Sequence, residues 1–324
     1  MPLSGGFPIS RPFCFHSIKF SILLFGLSIT FAPMTGRVTK STGSWYTVLS
    51  DDGQLYSCRI VGKFRIKGIK STNPIAVGDT VDFEIEEDQK SGLINGIEER
   101  KNYIIRKSVN LSKQVQIIAS NMDQALLVVS LKSPTTPLGF IDRFLVTAEA
   151  YSIPTLIVFN KIDLLSDEDL KILGDIEKVY ADAGYKTLRT SADKIINIDQ
   201  LKALIHDKTT LLSGHSGVGK STLVNLCEKG LELKTQEVSD SHNKGQHTTT
   251  FAEMYPLKNG GFIIDTPGIK GFGLVDMEKE EIQDYFPEIF ALREGCKFHN
   301  CLHDREPGCA VKTALKEGEL AKSR

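Results

Sequence analysis

What this chain has little of narrows the field first. Net charge is nearly absent: 39 Lys and Arg stand against 40 Asp and Glu, a formal balance of −1 over 324 residues. A protein that coats itself in polyanion needs a broad excess of one sign. That class is set aside, although a mild basic bias runs from Thr35 to Lys113. No low-complexity tract interrupts the chain, and with 41% hydrophobic and 24% charged residues it has the composition of an ordinary folded protein. An apolar run long enough for a bilayer is also missing. The longest, Phe20 to Phe31, falls short of the roughly 20 residues a span requires.

Behind Arg11 and Lys19, that run has the shape of a signal-peptide core. Residues 1–33 therefore admit three readings: an export signal, an unusual anchor, or sequence upstream of a true start at Met34. The third is the expectation, and residues 1–33 are left out of the fold. Six cysteines are present. Cys14, Cys58 and Cys227 are scattered and read as free thiols, whereas Cys296, Cys301 and Cys309 crowd into one short stretch.

Three segments follow. From 34 to 107 the pattern is short strands and turns. Trp45–Leu49 and Leu55–Val61 flank Asp51-Asp52-Gly53, a hairpin signal. Val81–Ile85 alternates with period two after Val77-Gly78-Asp79. Five short strands in such a span predict a small OB-fold β-barrel. From 108 to 274 the rhythm becomes α/β. Ala125–Ser130 and Thr155–Phe159 are continuous apolar runs suited to buried parallel strands. Helical patterns cover Phe140–Ala150 and Ser166–Ala183, and further strands are expected at Thr209–Leu212 and Gly261–Ile264. Residues 275–324 are polar, rich in Cys and His, and read as a separate small unit.

Gly214-His215-Ser216-Gly217-Val218-Gly219-Lys220-Ser221 fits the phosphate-loop pattern in full, after a strand and before a helix that continues with Thr222. Its glycines let backbone N–H groups curl around a phosphate. Lys220 would reach the β- and γ-phosphates, and the Ser221 hydroxyl would ligate Mg²⁺. The base is read from Asn160-Lys161-Ile162-Asp163 at the end of an apolar strand. A carboxylate at Asp163 accepts two hydrogen bonds, which suits guanine N1–H and the N2 amine, whereas adenine presents the opposite edge. Asn160 and Lys161 would brace the loop and cover the ring. Thr190-Ser191-Ala192, after another expected strand, matches a loop that offers a backbone N–H to guanine O6. Together these motifs specify GTP, whose supply places the chain in the cytosol and argues against export.

Asp265-Thr266-Pro267-Gly268 closes the chemistry: Asp265 would hold Mg²⁺ through water, and the Gly268 N–H would sense the γ-phosphate. Ras-like GTPases place a water-orienting Gln next. Here Ile269 stands instead and cannot orient water. The substitute is sought in Gly245-Gln246-His247-Thr248-Thr249-Thr250, where Thr249 would ligate Mg²⁺ and His247 would position or deprotonate the attacking water. The base motifs precede the phosphate motifs, the reverse of the usual GTPase order. A circular permutation builds the same sheet when the original termini were neighbours in space.

Cys296, Cys301, His303 and Cys309 supply three thiolates and one imidazole, a set suited to a closed tetrahedral zinc site. His299 is a rival for the imidazole position, and Gly295 and Pro307-Gly308 read as turn residues that permit the wrap.

A barrel, a permuted GTPase segment and this cluster, in that order and together with Asn121-Met122-Asp123-Gln124 and Ile141-Asp142-Arg143-Phe144, closely resemble the ribosome small-subunit-dependent GTPase A family (RsgA) over residues 35–315. The resemblance implies GTP hydrolysis stimulated by the small ribosomal subunit and a role in late maturation of that subunit. It also implies rRNA contact through the barrel and zinc domain, a cytoplasmic monomer with no membrane partner, and a water-positioning role for His247. The family usually has Arg where this chain has Gln246, lacks the N-terminal extension, and continues into another helix beyond Arg324. Basic residues of the barrel (Arg59, Lys63, Arg65, Lys67, Lys70) are consistent with phosphate contact. Two alternatives stay open: a GTP-dependent binding switch with incidental hydrolysis and, more weakly, a nucleotide kinase.

Overall fold

The computed structural model describes residues 34–60, 74–86, 91–107, 115–228, 230, 231, 233, 252–258, 260–266 and 277–324. Its N-terminal part is a barrel of five strands: β1 (Met34–Ser41), β2 (Tyr46–Ser50), β3 (Leu55–Ile60), β4 (Thr80–Ile85) and β5 (Ser91–Ile97). Alternation builds it. In β2, Tyr46, Val48 and Ser50 point inward while Thr47 and Leu49 are only half-buried. Strand order β1-β2-β3-β5-β4 closes through a β1–β4 pairing, the arrangement of an OB barrel. Val38, Tyr46, Val48, Cys58, Ile75, Val81, Phe83 and Ile94 fill it. The Asp51–Gly53 turn falls where expected, with Gly53 at φ 82° and the Asp52 carboxylate accepting the Gln54 N–H at 3.1 Å. Trp45 lies just outside β2 and is exposed.

β6 (Tyr103–Lys107) and β7 (Val115–Ser120) form a separate antiparallel pair. The α/β part follows as β8 (Gln124–Val129), α1 (Leu138–Ala150), β9 (Thr155–Phe159), α2 (Asp167–Asp182), β10 (Lys186–Arg189) and α3 (Ile198–Ile205), then β11 (Thr209–Ser213), α4 (Lys220–Cys227), β12 (Glu253–Pro256) and β13 (Phe262–Asp265). Five strands run parallel in the order β10-β9-β8-β11-β13, and β12 pairs antiparallel with β13. The apolar runs are buried as parallel strands require: no residue of β8 is exposed. One core, around Leu127, Phe144 and Ile157, lies under α1 and α2; the other, around Leu126, Leu201 and Leu223, lies under α3 and α4. Helix α2 starts where Ser166 and Asp169 exchange capping hydrogen bonds, at 3.3 and 2.8 Å.

Two seams join the barrel to the chain that follows it. At the first, β1 pairs with β12 at Lys40 and Glu253, so that eleven strands form one hydrogen-bonded sheet. At the second, the buried Asp79 carboxylate takes two bonds from Arg100 (2.7 and 2.6 Å), one from the Ala76 N–H (2.8 Å) and one from the Ser120 hydroxyl (2.6 Å). Gly78, at φ 95°, is required there because a Cβ would lie 2.2 Å from the Ser120 carbonyl oxygen.

The C-terminal residues form α5 (Lys279–Ile282), α6 (Pro287–Arg293) and α7 (Ala310–Glu317). They have a small core of Cys301, Cys309, Val311, Ala314 and Leu320. They are also fastened to the α/β part. Arg324 is buried between Asp142 of α1 and Glu288 of α6, at 2.5 Å from each, and lies over the rings of Tyr180, Tyr185 and Phe286. No helix among the described residues is long and apolar enough to cross a membrane.

Candidate nucleotide site and metal centre

The phosphate loop leaves β11 and enters α4, so its N–H groups sit at a helix N-terminus, which favours anions. Gly214, Gly217 and Gly219 have φ of 137°, 81° and 94°. A Cβ on Gly214 would meet the Val128 carbonyl oxygen at 2.1 Å, and one on Gly219 would meet Asn160 Nδ2 at 2.4 Å. Lys220 Nζ donates to the Gly214 and His215 carbonyls at 2.8 and 2.7 Å, which curls the loop around the ammonium. Val218 is buried beneath α4, and Ser216, Ser221 and Thr222 line the loop at and beyond its turn. Burial lowers the Lys220 pKa against the opposing pull of Asp265. Burial likewise raises the Asp265 carboxyl above its usual range, with Lys220 acting the other way. A desolvated carboxylate beside a hydroxyl-bearing phosphate loop suits a hard divalent cation.

The base loops converge on the same end of the sheet. Asn160, almost fully buried, donates to the Val218 carbonyl at 2.8 Å. It also accepts from the Thr190 hydroxyl at 3.1 Å and from the Ala192 N–H at 3.3 Å. Asn160 thus ties three loops together. Lys161 adopts a left-handed conformation, φ 64°, and its ammonium donates to the Ser133 carbonyl. Ile162 starts a single 3-10 turn, and its N–H bonds the Thr190 carbonyl at 3.2 Å. The Ser191 hydroxyl donates to Asp163 Oδ1 at 2.5 Å, which fixes the rotamer of that carboxylate.

Two features here had no signal in the sequence. Ser191 acts on Asp163 through its side chain, whereas the sequence suggested only a backbone N–H from this loop. The His215 ring packs on Phe140 of α1 with centroids 3.9 Å apart, and burial, Lys220 and Arg143 together lower its pKa. Gln246, His247, Thr249, Gly268 and Ile269 lie outside the described residues, as do Lys63, Arg65, Lys67 and Lys70.

Near the C-terminus, Cys296, Cys301, His303 and Cys309 bring their ligand atoms within 4.8 Å of one another. His303 presents Nδ1, 3.3 Å from the Cys309 sulfur and 3.7 Å from that of Cys296. The wrap closes through a Lys297 N–H to Gly308 carbonyl bond at 2.9 Å, with Gly308 at φ 69°. Burial alone would raise the Cys296 thiol pKa, yet the N–H groups of Val311 and Ala310 and the neighbouring thiols hold it below its usual value. None of these cysteines is in a disulfide. Three thiols and an imidazole gathered this closely fit one tetrahedral zinc ion. His299 is exposed and outside the cluster.

A phosphate loop braced to a guanine-type base loop, on a parallel sheet whose base motifs come first in the chain, defines a P-loop GTPase of permuted order. Sequence comparison gives the family. An RsgA GTPase profile matches residues 97–275, and an RsgA N-terminal domain profile matches residues 35–94. A Christiangramia forsetii protein named small ribosomal subunit biogenesis GTPase RsgA is 58% identical over 90% of this chain and 93% of its own. A Bacteroides fragilis protein of the same name is 53% identical over 90% of this chain and 94% of its own. The crystal structure of YjeQ from Thermotoga maritima superposes with TM-score 0.74 at 34% identity, covering 90% of this chain and 95% of that one. That of YloQ, a circularly permuted GTPase, gives 0.69 at 30% identity, covering 92% and 93%. The chain belongs to the RsgA GTPase family and is a GTP hydrolase.

Proposed function

We propose that this chain binds the small ribosomal subunit in the cytoplasm, as a monomer without a membrane partner, and hydrolyses GTP there to assist late maturation. The observation that carries this reading is the reach of the similarity. Relatives named for small-subunit biogenesis match over 293 residues, more than the α/β part alone could supply. The two seams and the Arg324 bridge described above link barrel, GTPase sheet and Cys3His unit. The working partition is 34–107 for the barrel, 108–274 for the GTPase part and 275–324 for the zinc unit, with rRNA meeting the barrel and the zinc unit.

In this reading Asp163, oriented by Ser191, accepts the guanine N1–H and N2 amine. Asn160 keeps that loop in register with the phosphate loop, and Lys161 covers the ring. The N–H groups of residues 214–222 cradle the phosphates, Lys220 meets the β- and γ-phosphates, and Gly268 senses the last. Mg²⁺ bound with GTP would be held by Ser221, Thr249 and, through water, Asp265, and would neutralise charge that develops on the phosphates. His247 positions the attacking water in place of the absent Gln. One zinc ion on Cys296, Cys301, His303 and Cys309 is structural. The test is co-sedimentation with small subunits under a non-hydrolysable GTP analogue and under GDP, together with turnover at rising subunit concentration. Binding that prefers the GTP form and turnover that climbs with subunits are expected. Binding without stimulated turnover would leave a switch, and no binding would remove the ribosomal reading.

A further inference from the structure

In a regular strand Lys40 would share the face of Val38, which has no exposure inside the barrel. A bulge prevents this. Against β2, Val38 pairs with Val48 but Lys40 pairs with Thr47, so β1 carries one residue more than its partner. Such an insertion bends the strand and re-aims the side chain that follows. Lys40 leaves the barrel interior and becomes the residue that crosses to the GTPase sheet. There it is the Cα partner of Glu253 at the start of β12, and its Nζ lies 3.3 Å from the Glu253 carboxylate.

On its other side, Glu253 is the register partner of Asp265 at the end of β13. The backbone therefore runs sideways from a barrel lysine, through one strand, to the carboxylate at the nucleotide site. Tyr255, two residues on and on the same face of β12, shares the Glu253 carboxylate. A second tether holds β1 to the sheet: Arg37 Nη1 donates to the Thr209 hydroxyl at 3.2 Å, and its guanidinium lies 4.9 Å from the Phe262 ring centroid. Without β1, β12 would be an edge strand with one row of unpaired backbone groups. Asp265, at the end of β13, would then have that edge strand as its neighbour on one side.

We propose that Lys40 and Glu253 form a positioning pair through which the barrel holds the strand beside Asp265, so that the placement of the barrel sets the rate of GTP hydrolysis. The proposal rests on the reading of Asp265 as part of the nucleotide site and adds a residue from another part of the chain to its control. Stability is not the purpose of the pair. The two side chains are 44% and 28% exposed, and partly exposed ion pairs contribute little to stability. Their effect belongs in turnover.

The experiment is a double-mutant cycle on the full chain with Lys40→Met, Glu253→Gln and the double variant. It reads kcat and KM with and without small subunits, GDP affinity, and melting temperature. Each single variant is expected to lower kcat about 5-fold or more, within the range of ordinary coupling between sites. KM, GDP affinity and melting temperature should stay near wild type. The double variant should be no slower than the worse single one, because the two side chains act as a unit. Lys40→Arg, which keeps the charge, should stay within about 2-fold of wild type, as a partly exposed pair tolerates either cation. Wild-type kcat in Lys40→Met would overturn the proposal, as would losses that multiply in the double variant. If wild type itself gains nothing from small subunits, the ribosomal reading fails, and the cycle is then judged on basal turnover alone.

Discussion

The side-chain amide of Asn160 donates to the backbone carbonyl of Val218, 58 positions along the chain and inside the phosphate loop. This bond makes the base loop and the phosphate loop one braced unit. Gly219 must be glycine partly because Asn160 stands where its Cβ would be. Removing the amide in Asn160→Ala strands a buried carbonyl and two donors, at a cost of about 1–3 kcal/mol. GTP and GDP affinity should fall together by roughly 10- to 100-fold. Fluorescent-nucleotide titration measures both, and a loss confined to one nucleotide would refute the bracing role.

Asp163→Asn should change the base preferred. An amide in that position can donate to the extra carbonyl of xanthine, while guanine loses a charge-assisted pair worth about 1.5–3 kcal/mol. Competition between GTP and xanthosine triphosphate reads the exchange directly. If GTP affinity is unchanged, Asp163 does not face the base.

His247→Ala should keep GTP affinity and lose most of the turnover that small subunits stimulate. A group that guides water acts chiefly in the transition state. Positioning and acid–base roles are worth about 10²–10⁴-fold. Stimulated turnover within about three-fold of wild type would place the catalytic group elsewhere.

Cys301→Ala, or chelation of the wild-type protein, should release one zinc per chain and loosen the C-terminal unit, because Cys301 belongs both to the proposed ligand set and to the small core there. Nucleotide affinity should hold, since the cluster lies outside the phosphate and base loops. Elemental analysis that finds no metal in reduced, purified protein would count decisively against the site.

Arg324→Ala leaves the carboxylates of Asp142 and Glu288 buried without their cation, a class of change that costs about 3–5 kcal/mol. Burial already lifts the Asp142 pKa, against the pull of Arg324. Without the guanidinium the lift grows, so the folded state binds a proton more readily than the unfolded chain. A raised folded-state carboxyl pKa favours folding at low pH and loses that advantage as pH rises. The stability deficit of the variant should therefore narrow as pH falls toward the ordinary carboxylate range. Urea denaturation of variant and wild type at neutral and mildly acid pH tests this, and a deficit independent of pH would contradict it.

What could be read from the sequence was local. The apolar runs at Ala125–Ser130 and Thr155–Phe159 lie where β8 and β9 form, within a residue at each end. The expected helix from Ser166 opens on a capping box, a short-range device that sequence shows directly. The proposed zinc-binding residues Cys296, Cys301, His303 and Cys309 share one short stretch of chain, so their spacing carries much of their geometry. The illegible parts depend on distant register. Nothing near Lys40 announces Glu253, and the bulge that turns it outward is visible only against β2. Arg324 carries no pattern at all, since its partners come from α1, α2, α6 and the chain around Tyr185 and Phe286. The Ser191 hydroxyl on Asp163 is a rotamer choice, which spacing does not encode.

The continuous sheet also bears on how the molecule comes into being. A chain made from its N-terminus can close the barrel once β5 has emerged, since β1 needs only β2 and β4 for that closure. Its remaining hydrogen-bonding edge must wait until Glu253 is synthesised. Non-local pairings of this kind are slow to form and leave strand edges exposed meanwhile. The bulged, lysine-bearing edge of β1 is suited to that wait, because irregularity and charge discourage pairing with other nascent chains. The β1–β12 seam is therefore among the last parts of the molecule to be completed, after nearly four-fifths of the chain has been made.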